Sequence, residues 1–216
     1  MKKTILRLIA VLVIIAAGAY GYLRLIAPEV GEVPAIPAPA ESSSVMPQRD
    51  TLVIEVAGST TGTIEIQLLN EIAPGHVARI IQLAADGAYD GVIFHRVIGG
   101  FMAQTGDVQF GKVDGGQTGR AGTGGSDMPN LKAEFSKLPF VKGAVGMARS
   151  QSPDSANSQF FIMFDSAPHL NGQYTIVGKV SAGLDVVDAI KQGNPDQNGL
   201  VFQPDYMKTV RLKTGG

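Results

Sequence analysis

The apolar residues of this chain follow three different patterns. From Leu8 to Leu23 they form one uncharged block, "LIAVLVIIAAGAYGYL", behind the basic start "MKKTILR". From Ala27 to Arg49, "APEVGEVPAIPAPAESSSVMPQR", they thin out among five of the 12 prolines, and no aromatic residue is present. From Asp50 onward they come in short runs broken by polar residues and glycine. "TLVIEVAGSTTGTIEIQLL" reads as two strands joined by a turn at Gly58 to Gly62. Ile64, Ile66 and Leu68 alternate with Thr63, Glu65 and Gln67, so one face is wet. "APGHVARIIQLAADGAY" reads as a helix. Pro74 sits in its first turn, Val77, Ile80, Ile81 and Ala84 keep helical spacing, and Gly87 ends it. His76, in that first turn, is expected at the surface. "GVIFHRVIGGFMAQTGD", Gly91 to Asp107, would make a core strand were it not for His95 and Arg96 in its middle. Val108 to Leu131 is too rich in glycine for regular structure and reads as a long loop, a feature often functional in compact domains. "GAVGMARS", "SQFFIMF" and "QYTIVGKV" read as strands, "GLDVVDAIKQ" (Gly183 to Gln192) as a second helix, and "DYMKTVRLKT" as a last strand. Many short strands with two helices predict a mainly β fold, a closed antiparallel barrel with helices on its ends. No internal repeat is present.

The first pattern is an address. Sixteen residues at about 1.5 Å each reach about 24 Å, short of a hydrocarbon core of roughly 30 Å unless Arg7 and Arg24 snorkel. An uncleaved anchor with its basic end in the cytoplasm and a cleavable signal peptide both fit. Ala17-Gly18-Ala19 offers a cleavage site, whereas Tyr20 to Arg24 continues in membrane-interface style. Either reading exports the rest of the chain. The expected organisation is a signal anchor or signal peptide over 1–26, an extended linker over 27–49 and a folded domain over 50–216. The expected location is the bacterial inner membrane, single-pass, with the domain facing the periplasm or exterior. The alternative is a soluble periplasmic protein after cleavage.

Composition narrows the chemistry. The 216 residues carry a net charge of −1, and four of the 18 basic residues (Lys2, Lys3, Arg7, Arg24) flank the apolar N-terminus. No basic stripe is left, which argues against nucleic acid. Cysteine is absent, so disulfides, cysteine nucleophiles and zinc–thiolate sites are excluded. Gly172 to Lys179 has the wrong spacing for a phosphate loop and ends in Val180. "GRAGTGG" neither follows a strand nor opens a helix, and no Gly-x-Ser-x-Gly elbow exists. The three histidines (His76, His95, His169) lack ligand spacing, so neither a metal nor a cofactor is expected.

What remains is Arg96 among apolar residues, with no carboxylate in the run before Asp107. An arginine there is costly to bury unless its charge is used. Rotation about an X–Pro amide is a reaction that needs no nucleophile, base or metal. Its barrier of roughly 18–20 kcal/mol comes from amide conjugation. An apolar pocket for the ring and a guanidinium aimed at the imide nitrogen would stabilise the twisted state over both ground states.

"FHRVIGGFMAQTGD" resembles the signature of the cyclophilin family of peptidyl-prolyl cis–trans isomerases. The resemblance continues in family order through "AGTGG", "GAVGMARS", "SANSQFFIMF", "HLNGQYTIVGKV" and "GLDVVDAI", from Leu52 to Leu212. It implies a barrel of about eight strands and a prolyl isomerase acting on proline-containing segments. Arg96 matches the catalytic arginine, and Gln104 the glutamine that orients it and bonds the substrate backbone. Phe101, Met102, Phe161 and Leu170 match the walls of the proline pocket. Gln159, Ala148 and Gly122 match positions along the peptide groove. Arg149 and Tyr174 stand at substrate-binding positions where many members carry asparagine and histidine. Phe160 and Phe161 point to opposite faces of a strand, so Phe160 is assigned to the core. His95 is read as structural.

The chain also departs from the pattern. Gly99 stands where proline is frequent, Thr105 where glycine is frequent, and His169 where many eukaryotic members carry tryptophan. The loop after Asp107 is longer than in compact members. The missing tryptophan argues against tight cyclosporin binding but leaves catalysis intact, and Met147-Ala148-Arg149 looks like the bacterial branch. The expected function is a monomeric prolyl isomerase assisting exported or envelope proteins. The alternative is a membrane-tethered binding module or chaperone that holds proline segments without catalysis.

Overall fold

A computed structural model describes residues 50–115 and 117–213 of the chain. The expected anchor or signal peptide, its apolar helix and the linker lie outside the described residues. The elements are β1 (Thr51–Ala57), β2 (Gly62–Leu68), α1 (Pro74–Ala85), β3 (Val92–Ile93), β4 (Arg96–Ile98), β5 (Met102–Thr105), β6 (Ala144–Met147), β7 (Phe160–Met163), β8 (Ile176–Ala182), α2 (Leu184–Ala189) and β9 (Tyr206–Lys213). The nine strands form one sheet in the order β3-β9-β1-β2-β8-β6-β7-β5-β4, and every pairing is antiparallel.

The sheet is curled rather than closed by its own ladders. Its two edges, β3 and β4, are consecutive in the chain, and Phe94 and His95 cross between them. The count exceeds eight because the Gly91–Asp107 run is not one strand. It breaks at Phe94-His95 and turns at Gly99-Gly100, giving β3, β4 and β5. The second helix is shorter than its apolar pattern suggests. It ends at Ala189, and Ile190 already has ψ 130.

Alternation sorts the sheet into two faces. Leu52, Ile54, Ile64, Ile66 and Leu68 are all at most 1% exposed and join Val97, Ala103, Val145, Met147, Phe160 and Ile162 in the main core. Each of these side chains except Ala103 is worth about 1.5–3 kcal/mol of burial. α1 lays Val77, Ile80, Leu83 and Ala84 against the same core. The opposite face carries a second cluster, Met102, Phe140, Ala144, Phe161, Met163, Leu170 and Ile176.

One helix residue departs from the expected exposure. His76 is buried at 0%, with Nδ1 2.6 Å from Glu134 Oε2. Ala73 offers no side-chain cap to α1. Glu134 takes that role from a loop 58 residues away, accepting the Gly75 and His76 backbone N–H groups at 3.1 and 3.0 Å. Burial alone would raise the Glu134 carboxyl, but these hydrogen bonds and the His76 side chain outweigh it and hold it below its usual pKa.

Candidate active site

The site is a row across the sheet. Arg96 on β4 lies opposite Gln104 on β5, Gln104 opposite Phe161 on β7, and Phe161 opposite Gly146 on β6. A side chain at Gly146 could not be accommodated: a Cβ there would lie 2.6 Å from both the Phe140 and the Phe161 rings. Its absence lets Phe140 stack on Phe161 at 5.7 Å between centroids, and Tyr174 meets Phe161 edge-on at 5.9 Å. Met102 shares the face of Gln104 by the strand's two-residue period. Leu170 arrives on the short turn Pro168–Leu170. Phe101 follows the Gly99-Gly100 turn, and His169 lies against it at 5.7 Å.

These side chains line a cavity of about 340 Å³ formed by Arg96, Phe101, Met102, Gln104, Ala148, Arg149, Phe161, His169, Leu170 and Tyr174. A second, polar groove of about 450 Å³ adjoins it through Gln104, Ala148 and Arg149, and includes Gly122 and Gln159. The structure thus brings all eleven expected residues to two adjoining depressions. A larger groove of about 1100 Å³, floored in part by His95, contains none of them. Among the described residues no three His, Cys, Asp or Glu side chains cluster as a metal ligand set.

Arg96 has no carboxylate partner among its hydrogen bonds. Its Nη1 donates to Gln104 Oε1 at 3.3 Å and lies 3.9 Å from the Met102 sulfur. Its other edge faces Asn198, with Nε donating to the backbone oxygen at 3.1 Å and Nη2 to Oδ1 at 3.0 Å. Burial lowers the Arg96 pKa, but an arginine so placed stays charged. Asp107, the first carboxylate after Arg96 along the chain, is spent elsewhere. Its Oδ1 accepts the Gln109 and Phe110 N–H groups, and its Oδ2 those of Gly122 and Gly124, at 2.8–3.1 Å.

A directed chain of amides runs between the two charges. Gln104 turns its oxygen to Arg96 and donates to Gln159 Oε1 at 3.0 Å; Gln159 in turn donates to Gly124 O at 2.7 Å. Gly124 N–H donates to Asp107. Each dipole fixes the next, so the Gln104 amide cannot flip without breaking the series. Arg149 is held by neutral groups only. Nε and Nη2 donate to Gln173 O, Nη1 to Ser150 O and Gln151 O, and the guanidinium lies 4.4 Å over the Tyr174 ring.

His95 and Thr105 support the row from behind. His95 is 4% exposed, and neither ring nitrogen has a hydrogen-bond partner among the described residues. Burial, with a smaller contribution from Arg96, pushes its pKa down to about 4 despite Asp107. Thr105 Oγ1 donates to Ile93 O at 2.9 Å and ties β5 to β3. Asn198 is the contact that sequence reasoning missed. Its only local signal is the Asn-Gly pair, which marks a turn and says nothing of Arg96.

Comparison with known proteins places the chain in a family. The family described as "Cyclophilin type peptidyl-prolyl cis-trans isomerase/CLD" matches residues 51–212. A probable peptidyl-prolyl cis-trans isomerase of Brucella suis is 56% identical over 166 residues, covering 76% of this chain and 83% of its own. Peptidyl-prolyl cis-trans isomerase B of Bacillus subtilis is 39% identical over 152 residues, 69% of this chain and 90% of its own. A cyclophilin-type isomerase of Cryptosporidium parvum, solved in the presence of the dipeptide Ala-Pro, matches with a TM-score of 0.64 and 25% identity over 76% of this chain and 99% of its own. The protein is thus an isomerase acting on prolyl peptide bonds. It belongs to the cyclophilin-type peptidyl-prolyl cis–trans isomerase family.

Proposed function

We propose that this enzyme rotates X–Pro bonds of exported or envelope proteins without a covalent step, with Arg96 as the donor and the Phe101–Met102–Phe161–Leu170 cavity as the proline seat. The observation that carries the reading is the Arg96 guanidinium at the rim of a cavity walled on one side by Phe101, Met102, Phe161 and Leu170, held by oxygen atoms of neutral groups. As the X–Pro bond twists, conjugation is lost and the nitrogen lone pair localises. A fixed cation beside that nitrogen stabilises the twisted state more than either planar isomer. Gln104 orients the guanidinium and is placed to meet the peptide backbone, while Gln159, Ala148 and Gly122 extend the groove for flanking residues, beside Arg149 and Tyr174. The Ala-Pro dipeptide present with the Cryptosporidium relative supports a proline-containing ligand here.

The test is isomerisation of a short Ala-Pro-Phe-type peptide by the wild type and by Arg96→Ala. Turnover should fall by about 10²-fold or more, as when one oxyanion-type donor is removed, while peptide binding weakens less. Unchanged isomerisation in the variant would refute the donor role. No catalysis from a folded, peptide-binding wild type would favour the tethered binding module. The proposed location follows from the basic start and apolar block, which suit a single-pass anchor holding a domain over 50–216 outside the inner membrane. Mass spectrometry of the membrane-purified protein should find the intact N-terminus. A mature chain beginning near Tyr20 would instead make the protein soluble and periplasmic.

A further inference from the structure

The geometry points to Asn198 as a positioning residue for Arg96. This assignment rests on the donor role proposed for Arg96. The Nε and Nη2 groups of a guanidinium form a parallel fork that a carboxylate ordinarily fills. Here one asparagine fills it with two neutral oxygens, its own carbonyl at 3.1 Å and its own Oδ1 at 3.0 Å. A carboxylate in that place would fix the plane equally well but would also neutralise the cation. The asparagine fixes the plane and leaves the charge for the proline nitrogen. With Gln104 and the Met102 sulfur on Nη1, the guanidinium is held from both ends, and the second N–H of Nη2 remains for a substrate.

Asn198 can do this because its backbone is anchored, although the residue itself is exposed. It has φ 53 and ψ 35 at the end of the short turn Pro195–Gln197, a left-handed conformation that places its carbonyl and side chain on the same side as Arg96. The loop is sewn to the edge strand β4 at one residue. Val97 N–H donates to Gly199 O at 2.8 Å, and Gly193 N–H donates to Val97 O at 2.9 Å. Gly199, at φ 78, lies so close that a Cβ would sit 2.5 Å from Ile98 Cγ1 and 3.0 Å from Val97 O. Asn194 closes the loop on itself, its N–H donating to Leu200 O and its carbonyl accepting Gly199 N–H at 2.9 and 2.8 Å. The strand that carries Arg96 therefore also carries the clamp that orients it.

Asn198→Gly separates this role from a folding role. Glycine keeps the left-handed backbone and the carbonyl on Nε, and of the two contacts to Arg96 loses only that of the side chain. At saturating Ala-Pro peptide, NMR exchange should show kcat reduced by about fivefold, while the peptide Kd and the Tm stay close to wild type. Asn198→Asp keeps the fork and adds an anion, so kcat should fall there too. In an Arg96→Lys background, which has no fork to hold, Asn198→Gly should cause no further loss. Wild-type kcat in both Asn198 variants overturns the assignment, as does an equal loss added on top of Arg96→Lys. A large loss in Arg96→Ala with none at Asn198 overturns this assignment alone. Full activity in Arg96→Ala overturns the donor reading with it.

Discussion

At the scale of single residues, the site depends on charges that are fixed in place and left without a counter-ion. Arg96 and Arg149 are each bound by carbonyl and amide oxygens, and neither spends its charge on a carboxylate. His95 is the complementary case, a titratable group kept neutral. Its folded pKa of about 4 lies below the ordinary 6.5, because protonation would place a charge in a buried site beside Arg96. The unfolded chain binds that proton first as the pH falls, so stability is full above about pH 6.5 and is lost toward pH 4. The loss should be on the order of 3 kcal/mol. Urea unfolding at pH 7 and pH 5 should already show about 2 kcal/mol of it. His95→Leu, which cannot titrate, should flatten the slope in that window, and an unaltered slope would show that His95 is not its source.

At the scale of elements, the long glycine-rich loop is organised by two side chains, Asn157 on its Ser126–Asn130 half and Asp107 on the half that borders the site. Asp107 stands just beyond the end of β5, is buried at 0%, and accepts four backbone N–H groups from Gln109, Phe110, Gly122 and Gly124. Through Gly124 it also holds the far end of the Gln159–Gln104 series. Arg120 adds a further tie by stacking over the Phe110 ring at 3.7 Å. Asp107→Ala would strand those donors, and leaving buried groups unpaired costs about 1–3 kcal/mol each before relaxation. The expected result is a lower urea midpoint, faster amide exchange at Gly122 and Gly124, and reduced isomerisation, because Gln104 loses its orientation. Normal exchange protection at those two glycines would contradict this account of the loop.

At the scale of the molecule, the two adjoining depressions form a groove whose charged walls are Arg96 and Arg149 alone, with no carboxylate in either lining. The chain as a whole is nearly neutral at −1, so this local sign comes from placement and not from composition. Peptides with Glu close to the Ala-Pro bond should show a higher kcat/KM than their Lys counterparts, by about fivefold at low salt, and the ratio should shrink at high salt. A ratio near one at low salt would mean that the groove does not select on charge. Arg149→Gln should narrow the ratio without removing catalysis.

What the sequence determined on its own is whatever depends on neighbours along the chain. Period-two alternation placed Ile64, Ile66 and Leu68 on a buried face and sent Phe160 and Phe161 to opposite ones, because strand geometry leaves no other choice. Pro74 and Gly87 bracketed α1, and the ordered motifs from Leu52 to Leu212 carried the family resemblance. Tertiary structure decided whatever depends on partners distant in sequence. His76 is buried because Glu134, 58 residues on, caps its helix. The Gly91–Asp107 run became three strands because the sheet has to turn at its own edges. Arg96 has its plane set by Asn198, 102 residues away. A local pattern records which side of an element must be dry, but not which distant oxygen will face a given N–H.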